Sequence, residues 1–294
     1  GYEEHHLAGG AAVQDGTLRL DGPHLDATGL ILLHDASFTR GDVPLATSLN
    51  GEMALHVRDM DRGGDMGRAV FHTVGGHAKV DADIEGLSFL DFYLTNAPWL
   101  RLQGAGHLAV DVEMERGGFL PGSTVDATIP EMTVDVLGWQ VEGECAVHIE
   151  VNPDAQGTRL ALDYRGFTFA SHAGPLLTGD GFRVTAFTTD TRLDAPFSTL
   201  DATFDLPQSE LVDLAAYNAL LPDDMGIVIW GQGGTVSGHL KASSADNSAT
   251  GDLFINHRQV HASFGTVTVL ADVTAKAHLS EADLDARIFT FSGT

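Results

Sequence analysis

The amino-acid sequence predicts a mostly β protein built from antiparallel strands and two short amphipathic helices. Apolar residues recur at every second position in many short runs, which is typical of strands that bury one face. The 34 glycines and 10 prolines among the 294 residues are spread without a period, as expected for frequent turns. Hydrophobic residues make up 43% of the chain, enough for a sizeable core in one large domain or two ordinary ones.

The first 86 residues predict strands joined by turns. Residues 17–20 alternate between polar and apolar, and Asn50-Gly51 predicts a hairpin. The aspartate-rich stretch 59–68 resembles a calcium loop but lacks the glutamate that closes an EF-hand. We therefore expect a surface loop there.

Two helices are predicted, over residues 88–97 and 207–221. Ser88 with Asp91 three residues later resembles a capping box. Ser209 is the expected N-cap of the second helix, and Pro222 is expected to end it. Alternating strands follow each helix.

Three fragments recur along the chain. One is residues 24–28, 124–128 and 199–203, where Leu or Val and Ala are expected to face inward and Asp and Thr outward. The second is residues 44–47 against 175–178. The third is the helix with its glycine-rich successor, residues 91–106 against 213–234.

These repeats divide the chain into a β-strand segment, residues 1–86, and two helix-led β modules, residues 87–207 and 208–294. We expect the three to form one continuous elongated domain. Since the chain begins in the middle of a pattern and without a methionine, we expect a processed protein or a piece of a longer one.

The charge of the chain argues against several classes of partner. The net charge is −25, and only three lysines are present, Lys79, Lys241 and Lys276. Nucleic-acid binding needs clustered lysine or arginine, so no nucleic-acid partner is expected. Cys145 is the single cysteine, which precludes an internal disulfide, and its alternating surroundings favour a buried apolar role.

The sequence predicts no site for catalysis or cofactor binding. Residues 104–109 fit a relaxed dinucleotide fingerprint, but the alternation that follows predicts a strand where the fingerprint requires a helix. His257 and His261 would share one face of a regular strand about 13 Å apart, too far for one metal. We expect no catalytic residues, no cofactor, no metal and no enzymatic activity.

The order of these elements resembles the AsmA-like superfamily of bacterial envelope-spanning proteins, which includes TamB- and YdbH-type proteins. The resemblance rests on the short helices at 88–97 and 209–221, the glycine-rich strands after them, the turn at 120–123 and the recurrent alternation. It covers roughly residues 15–290.

The resemblance implies an elongated, curved, groove- or taco-like sheet in the bacterial periplasm. The expected function is to bind or conduct phospholipid or fatty acyl chains between membranes in outer membrane biogenesis. Other envelope proteins are further expected partners, and membrane contact is expected only through parts absent from this chain. The expected groove-lining residues are Leu108, Val110, Val112, Val125, Ile129, Val134, Val136, Val147, Ile149, Leu160, Leu162, Val236, Leu240, Val267 and Val269.

Alternation in sequence is the same in an open groove and in a closed sandwich core, so both architectures remain open at this point. A closed core would favour a surface, adhesion or spacer module without a lipid ligand. A hydrolase built from residues distant in sequence is a third class.

Overall fold

The computed structural model describes residues 5–22, 24–61, 72–87, 100–136, 138–152, 157–189, 191, 199–221, 225–283 and 288–293. Within them, seventeen strands form one large, open, antiparallel sheet, which confirms the mostly β prediction. The strands are β1 His5–Asp21, β2 His24–Arg40, β3 Val43–Asp61, β4 Val74–Ile84, β5 Leu100–Gln103, β6 Gly106–Glu115, β7 Gly118–Phe119, β8 Thr124–Val136, β9 Trp139–Asn152, β10 Gly157–Ser171, β11 Gly174–Thr188, β12 Leu200–Leu211, β13 Ile227–Trp230, β14 Thr235–Ser243, β15 Ser248–Phe264, β16 Val267–Asp283 and β17 Ile288–Gly293.

The long strands form a meander in which each pairs with the next along the chain. Two positions in this meander hold a broken strand. β5 and β6 both pair with β8, and β13 and β14 both pair with β15, with a glycine-containing break between the two pieces. In the described part of the chain, β1 pairs only with β2 and β17 only with β16, so the sheet has two free edges.

The prediction of a helix over residues 207–221 is wrong. β12 continues to Leu211, and only a short 3₁₀ helix, Leu214–Leu220, follows it. Ser209 lies inside β12, and the N-cap is Asp213, whose carboxylate accepts a hydrogen bond from the Ala215 amide at 2.8 Å. Pro207 suits the strand because it lies at a bulge. The first predicted helix, 88–97, lies outside the described residues.

Bulges interrupt several long strands and reverse the phase of their alternation, and five of these bulges begin at a buried residue. In each of them, two consecutive exposed residues separate two residues that face the same side, so these are three apart instead of two. The flanking residues are Leu33 and Ala36 in β2, Ile129 and Met132 in β8, Tyr164 and Phe167 in β10, Leu206 and Ser209 in β12, and His257 and Val260 in β15.

The bulges of neighbouring strands lie beside one another. Glu144 in β9 fills the position opposite the bulge of β8, and it pairs with Arg165 at the bulge of β10. Arg165 pairs in turn with Gly181 in β11. The irregularities therefore form a row across the sheet, which we call the crease.

Side chains from neighbouring strands hold several bulges in place. The backbone amides of Asp35 and Gln259, both in the left-handed region, donate to Asn50 Oδ1 at 3.0 Å and to Asp272 Oδ1 at 2.9 Å. Each acceptor satisfies an amide that the bulge removes from the strand ladder. The hairpin predicted at Asn50-Gly51 is thus wrong, because this dipeptide lies inside β3 and serves the crease.

Side chains at the crease are almost fully buried although all strands belong to one sheet. Ile129 is 2% exposed and Phe167 is 3% exposed, whereas Pro130 and Gln208, on the opposite side of the bulges, are exposed. A flat sheet leaves both faces open to water. Burial to this degree requires the two halves of the sheet to lean toward each other, so the sheet bends along the crease.

The structure contains the same arrangement twice, in β2–β8 and in β10–β15. The Leu45 carbonyl accepts a hydrogen bond from the Glu85 amide at 3.0 Å, and the Leu176 carbonyl accepts one from the Val212 amide at 3.1 Å. In both copies the leucine amide two residues further on donates to the carbonyl of the glycine that follows the first piece of the broken strand, Leu87 to Gly104 and Leu214 to Gly231, at 3.0 Å in each case. Strand pairing continues across the predicted boundaries 86/87 and 207/208, and the three-module division stays a prediction.

The predicted inward and outward positions in the first repeat agree with the structure. Val125 and Ala127 lie on the face of Ile129, while Asp126 and Thr128 lie on the opposite face. Of the predicted surface loop 59–68, the first three residues end β3, and residues 62–68 lie outside the described residues.

The glycines of the second broken strand provide a test of the crease geometry. A Cβ on Gly234 would lie 2.4 Å from Cδ2 of His257, whereas a Cβ on Gly233 would have no atom within 4 Å, and both residues have positive φ. We expect Gly234→Ala to lower the free energy of unfolding by about 1–3 kcal/mol more than Gly233→Ala, because only the former forces an overpacked contact. Urea denaturation measures both, and equal losses would contradict the close approach.

Candidate functional site

All fifteen predicted lining residues lie on a single face of the sheet, which we call the apolar face. Strand register establishes this, because residues directly opposite one another in an antiparallel pair share a face. Val110 pairs with Val125, Val125 pairs with Ile149, and Ile149 pairs with Leu160. The series continues through β11, β12 and β14 to Val269 in β16, which pairs with Ala262 of β15.

The crease is the reason that residues of opposite parity share this face. In β8, Val125 and Ile129 are odd-numbered, whereas Val134 and Val136 are even-numbered. The bulge between Ile129 and Met132 shifts the alternation by one, so all four side chains point to the same side. A regular strand would have placed the two pairs on opposite faces.

The degree of exposure varies across the apolar face. Central side chains such as Leu108 and Val147 are half-buried, and they pack against the same core cluster as the crease residues. Toward the free edges the face is open: Leu18 in β1 is 69% exposed, and Val267 and Val269 in β16 are 59% and 43% exposed. The apolar face therefore extends from β1 to β16.

Aromatic rings fill the apolar face where it crosses β10, β11 and β12. Phe182 stacks on Tyr164 with ring centroids 4.6 Å apart and meets Phe167 edge-on at 4.9 Å. Phe204 lies 5.4 Å from the same ring. Because Tyr164 and Phe167 lie on opposite sides of the bulge, these contacts connect the two halves of the sheet.

Few polar groups lie on the apolar side of the crease. Cys145, which is fully buried, pairs with Tyr164 of β10, and burial raises the pKa of the Cys145 thiol to about 11. Burial also raises the pKa of the Tyr164 hydroxyl. A thiol held in its neutral form is a poor nucleophile, so Cys145 acts as an apolar residue.

His257 is a buried polar side chain at the bulge of β15. It is 2% exposed, and its Nδ1 lies 2.8 Å from the Arg258 carbonyl oxygen, so Nδ1 carries the proton and donates it. In the first copy of the arrangement, Ile129 occupies the corresponding position against Gly104. His261 lies on the opposite face, stacked on Trp230. The prediction that His257 and His261 share a face is thus wrong, because the bulge between them reverses the alternation.

The other face of the sheet, the polar face, carries rows of histidine–carboxylate pairs between neighbouring strands. His148 Nδ1 lies 2.6 Å from Asp126 Oδ1, and His278 Nδ1 lies 2.9 Å from Asp252 Oδ1. His239 pairs with Asp205 in the same way. One register row alternates between carboxylates and basic side chains over six strands, through Asp163, Arg183, Asp205, His239, Asp252 and His278.

Sequence reasoning missed these pairs, since partners on neighbouring strands are 20 or more residues apart in the chain. His107 contacts two carboxylates at once, Asp81 at 2.9 Å and Asp83 at 3.3 Å. The hydrogen bond with Asp83, followed by the charge of Asp81, raises the pKa of His107 despite slight desolvation. Its imidazolium is stabilised by being placed between acidic residues of β4.

The described residues contain no group of three or more His, Cys, Asp or Glu side chains arranged to hold a metal ion. Among those residues, no helix is both long and apolar enough to cross a membrane. Comparison of the chain with protein-family models, curated proteins and solved structures yields no match.

Cys145 provides a chemical test of crease burial. We expect its thiol to resist an aromatic disulfide reagent at pH 8 in the native protein, because it is inaccessible and its pKa is about 11. One equivalent should react after unfolding in guanidinium chloride. Rapid modification of the native protein would contradict the buried position.

His107 predicts a pH dependence of stability. Since its folded-state pKa is raised above the ordinary value of 6.5, the stabilisation is complete below pH 6.5 and is lost as pH rises through the folded pKa. We expect His107→Ala to reduce the free energy of unfolding more at pH 5.5 than at pH 8.5. The variant Asp83→Asn should lower the NMR titration midpoint of His107, and an unchanged midpoint would exclude Asp83 as the cause.

Proposed function

We propose that this chain is a non-enzymatic module of the bacterial cell envelope that binds phospholipid or fatty acyl chains along its apolar face. In this proposal the sheet, bent along the crease, is a groove whose floor is the apolar face. The observation that carries the proposal is that all fifteen predicted lining residues lie on this one face, despite the phase reversals at the bulges.

The dimensions of the floor favour conduction of acyl chains along the sheet, in preference to binding in a single pocket. Thirteen strands from β1 to β16 follow one another in the meander, which at about 4.8 Å per strand gives a floor of about 60 Å. The hydrocarbon core of a whole bilayer is about 30 Å thick. One acyl chain would therefore occupy only part of the floor. Another part of the floor would offer the same chain an equivalent position.

The chemistry of the floor fits acyl chains. Its side chains are mainly Val, Leu, Ile and Ala, and they are half-buried in the centre. Covering them with methylene groups would gain about 0.8 kcal/mol for each buried CH₂. Headgroups would remain in water at the rim, since the apolar face offers them few partners.

The charge distribution favours a location of the chain between two membranes and disfavours contact with a membrane surface. The polar face carries rows of carboxylates, and the net charge of −25 disfavours contact with anionic lipid surfaces. We therefore propose a periplasmic location with membrane contact through other parts of a larger assembly, in the manner of the AsmA-like superfamily that the sequence resembles.

Two neighbouring residues of β6 provide a matched test. Val110 and Ala109 are both half-buried, but Val110 lies on the apolar face and Ala109 on the polar face. We expect delipidated protein to bind a naturally fluorescent polyene fatty acid, and Val110→Gln to weaken this binding about tenfold, because an amide on the floor must be desolvated. Ala109→Gln should leave the binding unchanged.

Circular dichroism and urea denaturation of both variants ensure that a loss of binding does not reflect unfolding. The absence of fatty-acid uptake by the delipidated wild-type protein would refute the proposal. Equal losses in both variants would show that the probe binds outside the floor.

A structural spacer without a lipid ligand is the second candidate. The observation that favours it is the packing of Phe182 against Tyr164, Phe167 and Phe204, because these rings fill the crease without a ligand. A folded, monomeric protein that takes up no fatty acid would support this candidate.

A further inference from the structure

The buried imidazole of His257 has one ring nitrogen without a hydrogen-bond partner. His257 is 2% exposed, and its Nδ1 donates to the Arg258 carbonyl oxygen at 2.8 Å. Within the described residues, its Nε2 is buried and forms no hydrogen bond. The Tyr164 hydroxyl is a second such atom, but the Cys145 thiol lies beside it. A buried nitrogen without a partner lowers the stability of a fold, so its presence requires an explanation.

The packing of the crease does not itself require a histidine at this position. In the first copy of the arrangement, Ile129 is the buried residue that precedes the bulge of β8, and it lies against Gly104. His257 has the same place in the second copy, against Gly231. Ile129 is also 2% exposed and leaves no polar side-chain atom unsatisfied. Packing alone therefore does not account for the histidine.

The link between β13 and β14, residues 231–234, passes beside Nε2. Three of its four residues are glycines, and a Cβ on Gly231 would lie 3.1 Å from Cε1 of His257. A Cβ on Gly234 would lie 2.4 Å from Cδ2, so glycines adjoin both ring atoms that are bonded to Nε2. β15 pairs with β13 and with β14 but, as far as the structure describes the chain, not with this link. The link can therefore move away from Nε2 without breaking a pairing with β15.

His257 lies on the floor of the proposed groove. Ile255, two residues before it in β15, pairs with the predicted lining residue Val236, so all three side chains share the apolar face. Space is open at the link, because a Cβ on Gly233 would have no atom within 4 Å. The floor thus contains an unsatisfied polar atom next to a segment that can move.

The proton on Nδ1 specifies the chemistry that Nε2 can recognise. Since Nδ1 carries the proton, Nε2 presents a lone pair and accepts a hydrogen bond. A ligand must therefore supply a donor, while the floor around it requires the rest of the ligand to be apolar. A fatty acid meets both demands, because its carboxyl group and Nε2 share one proton, whichever of the two holds it. A phosphodiester headgroup has no proton to share at neutral pH and stays at the rim.

We propose that His257 anchors the carboxyl group of a free fatty acid on the apolar floor. The inference rests on the proposed function, and it names the class of ligand as a single-chain lipid that ends in an O–H donor. Fatty acids and fatty alcohols both belong to this class. The methylene chain gains similar contacts along the floor, whereas His257 fixes where the polar end of the ligand lies.

The first test compares ligands that differ only in the polar end. The naturally fluorescent polyene fatty acid is bound to delipidated protein and displaced by a saturated fatty acid, by its methyl ester or by the alcohol of equal length, all below their critical micelle concentrations. We expect the acid to displace the probe at about tenfold lower concentration than the ester, which lacks the donor. An alcohol as effective as the acid identifies the O–H group as the recognised feature, and one as weak as the ester identifies the carboxyl group.

His257→Ile separates ligand binding from packing, because Ile129 fills the equivalent position in the first copy. We expect this variant to lose the preference for acid over ester and to bind the ester as the wild type does. Its urea midpoint should equal or exceed that of the wild type, since no buried nitrogen is left unpaired. His261→Ile, on the opposite face of the same strand, is the matched control and should keep the preference.

A measurement on the wild-type protein does not depend on the folding of any variant. The ¹⁵N resonance of Nε2 in His257 can be assigned through the contacts of the ring with Gly231 and Gly234. We expect it to shift when the fatty acid is added, because the shared proton changes the shielding of the nitrogen. The methyl ester should leave it in place.

Three results would overturn the proposal. The first is equal displacement by acid and ester in the wild type, which is expected if a water molecule satisfies Nε2. The second is a preference for the acid that survives in His257→Ile, and the third is an unchanged Nε2 resonance at saturating fatty acid. All three leave lipid binding on the floor intact. A wild-type protein that binds no probe at all refutes the proposed function and this inference together.

Discussion

The crease is the constraint on which the rest of this structure depends. A long antiparallel strand twists but does not fold over, so a regular sheet of this width would expose one apolar face along its whole length. Bulges at corresponding positions, such as those at Ile129–Met132 and Tyr164–Phe167, bend neighbouring strands together. The burial of Cys145 and the contact of Phe182 with both halves follow from this bend. The phase reversal at the same bulges places all fifteen predicted lining residues on one face.

The crease also separates the two faces of the sheet by their chemistry. Apolar side chains turn inward on both sides of it, while the two exposed residues of each bulge extend the polar face. That face carries many carboxylates and few lysines, and histidines such as His107 and His148 are the side chains that pair with these carboxylates. Because imidazoles titrate near neutral pH, part of the cohesion between strands is tied to the proton concentration of the surroundings.

The alternation of apolar and polar residues predicted the strands well, because a pattern of period two is a local property of the sequence. It failed where local signals have two meanings. Asn50-Gly51 is a hairpin signal, yet it lies within β3 and caps a bulge, and Ser209 resembles an N-cap although it is buried in β12. The alternation of the fifteen predicted lining residues is visible in the sequence, but their common face depends on bulges. Pro130, Gly166 and Pro207 lie in three of these bulges, yet the same residue types also occur in turns, so they did not reveal the bulges. The partners of His148 and His239 depend on register, which one sequence alone does not reveal.

The meander has a consequence for how such a chain acquires its structure. Nearly every strand pairs with a strand adjacent in the chain, so ordering one hairpin requires closing only a short loop. The sheet can then grow strand by strand from an existing edge, much as a solenoid adds repeats. Each strand of such a chain finds its pairing partner in a strand that lies close before it in the sequence, so the order of folding can follow the order of the chain.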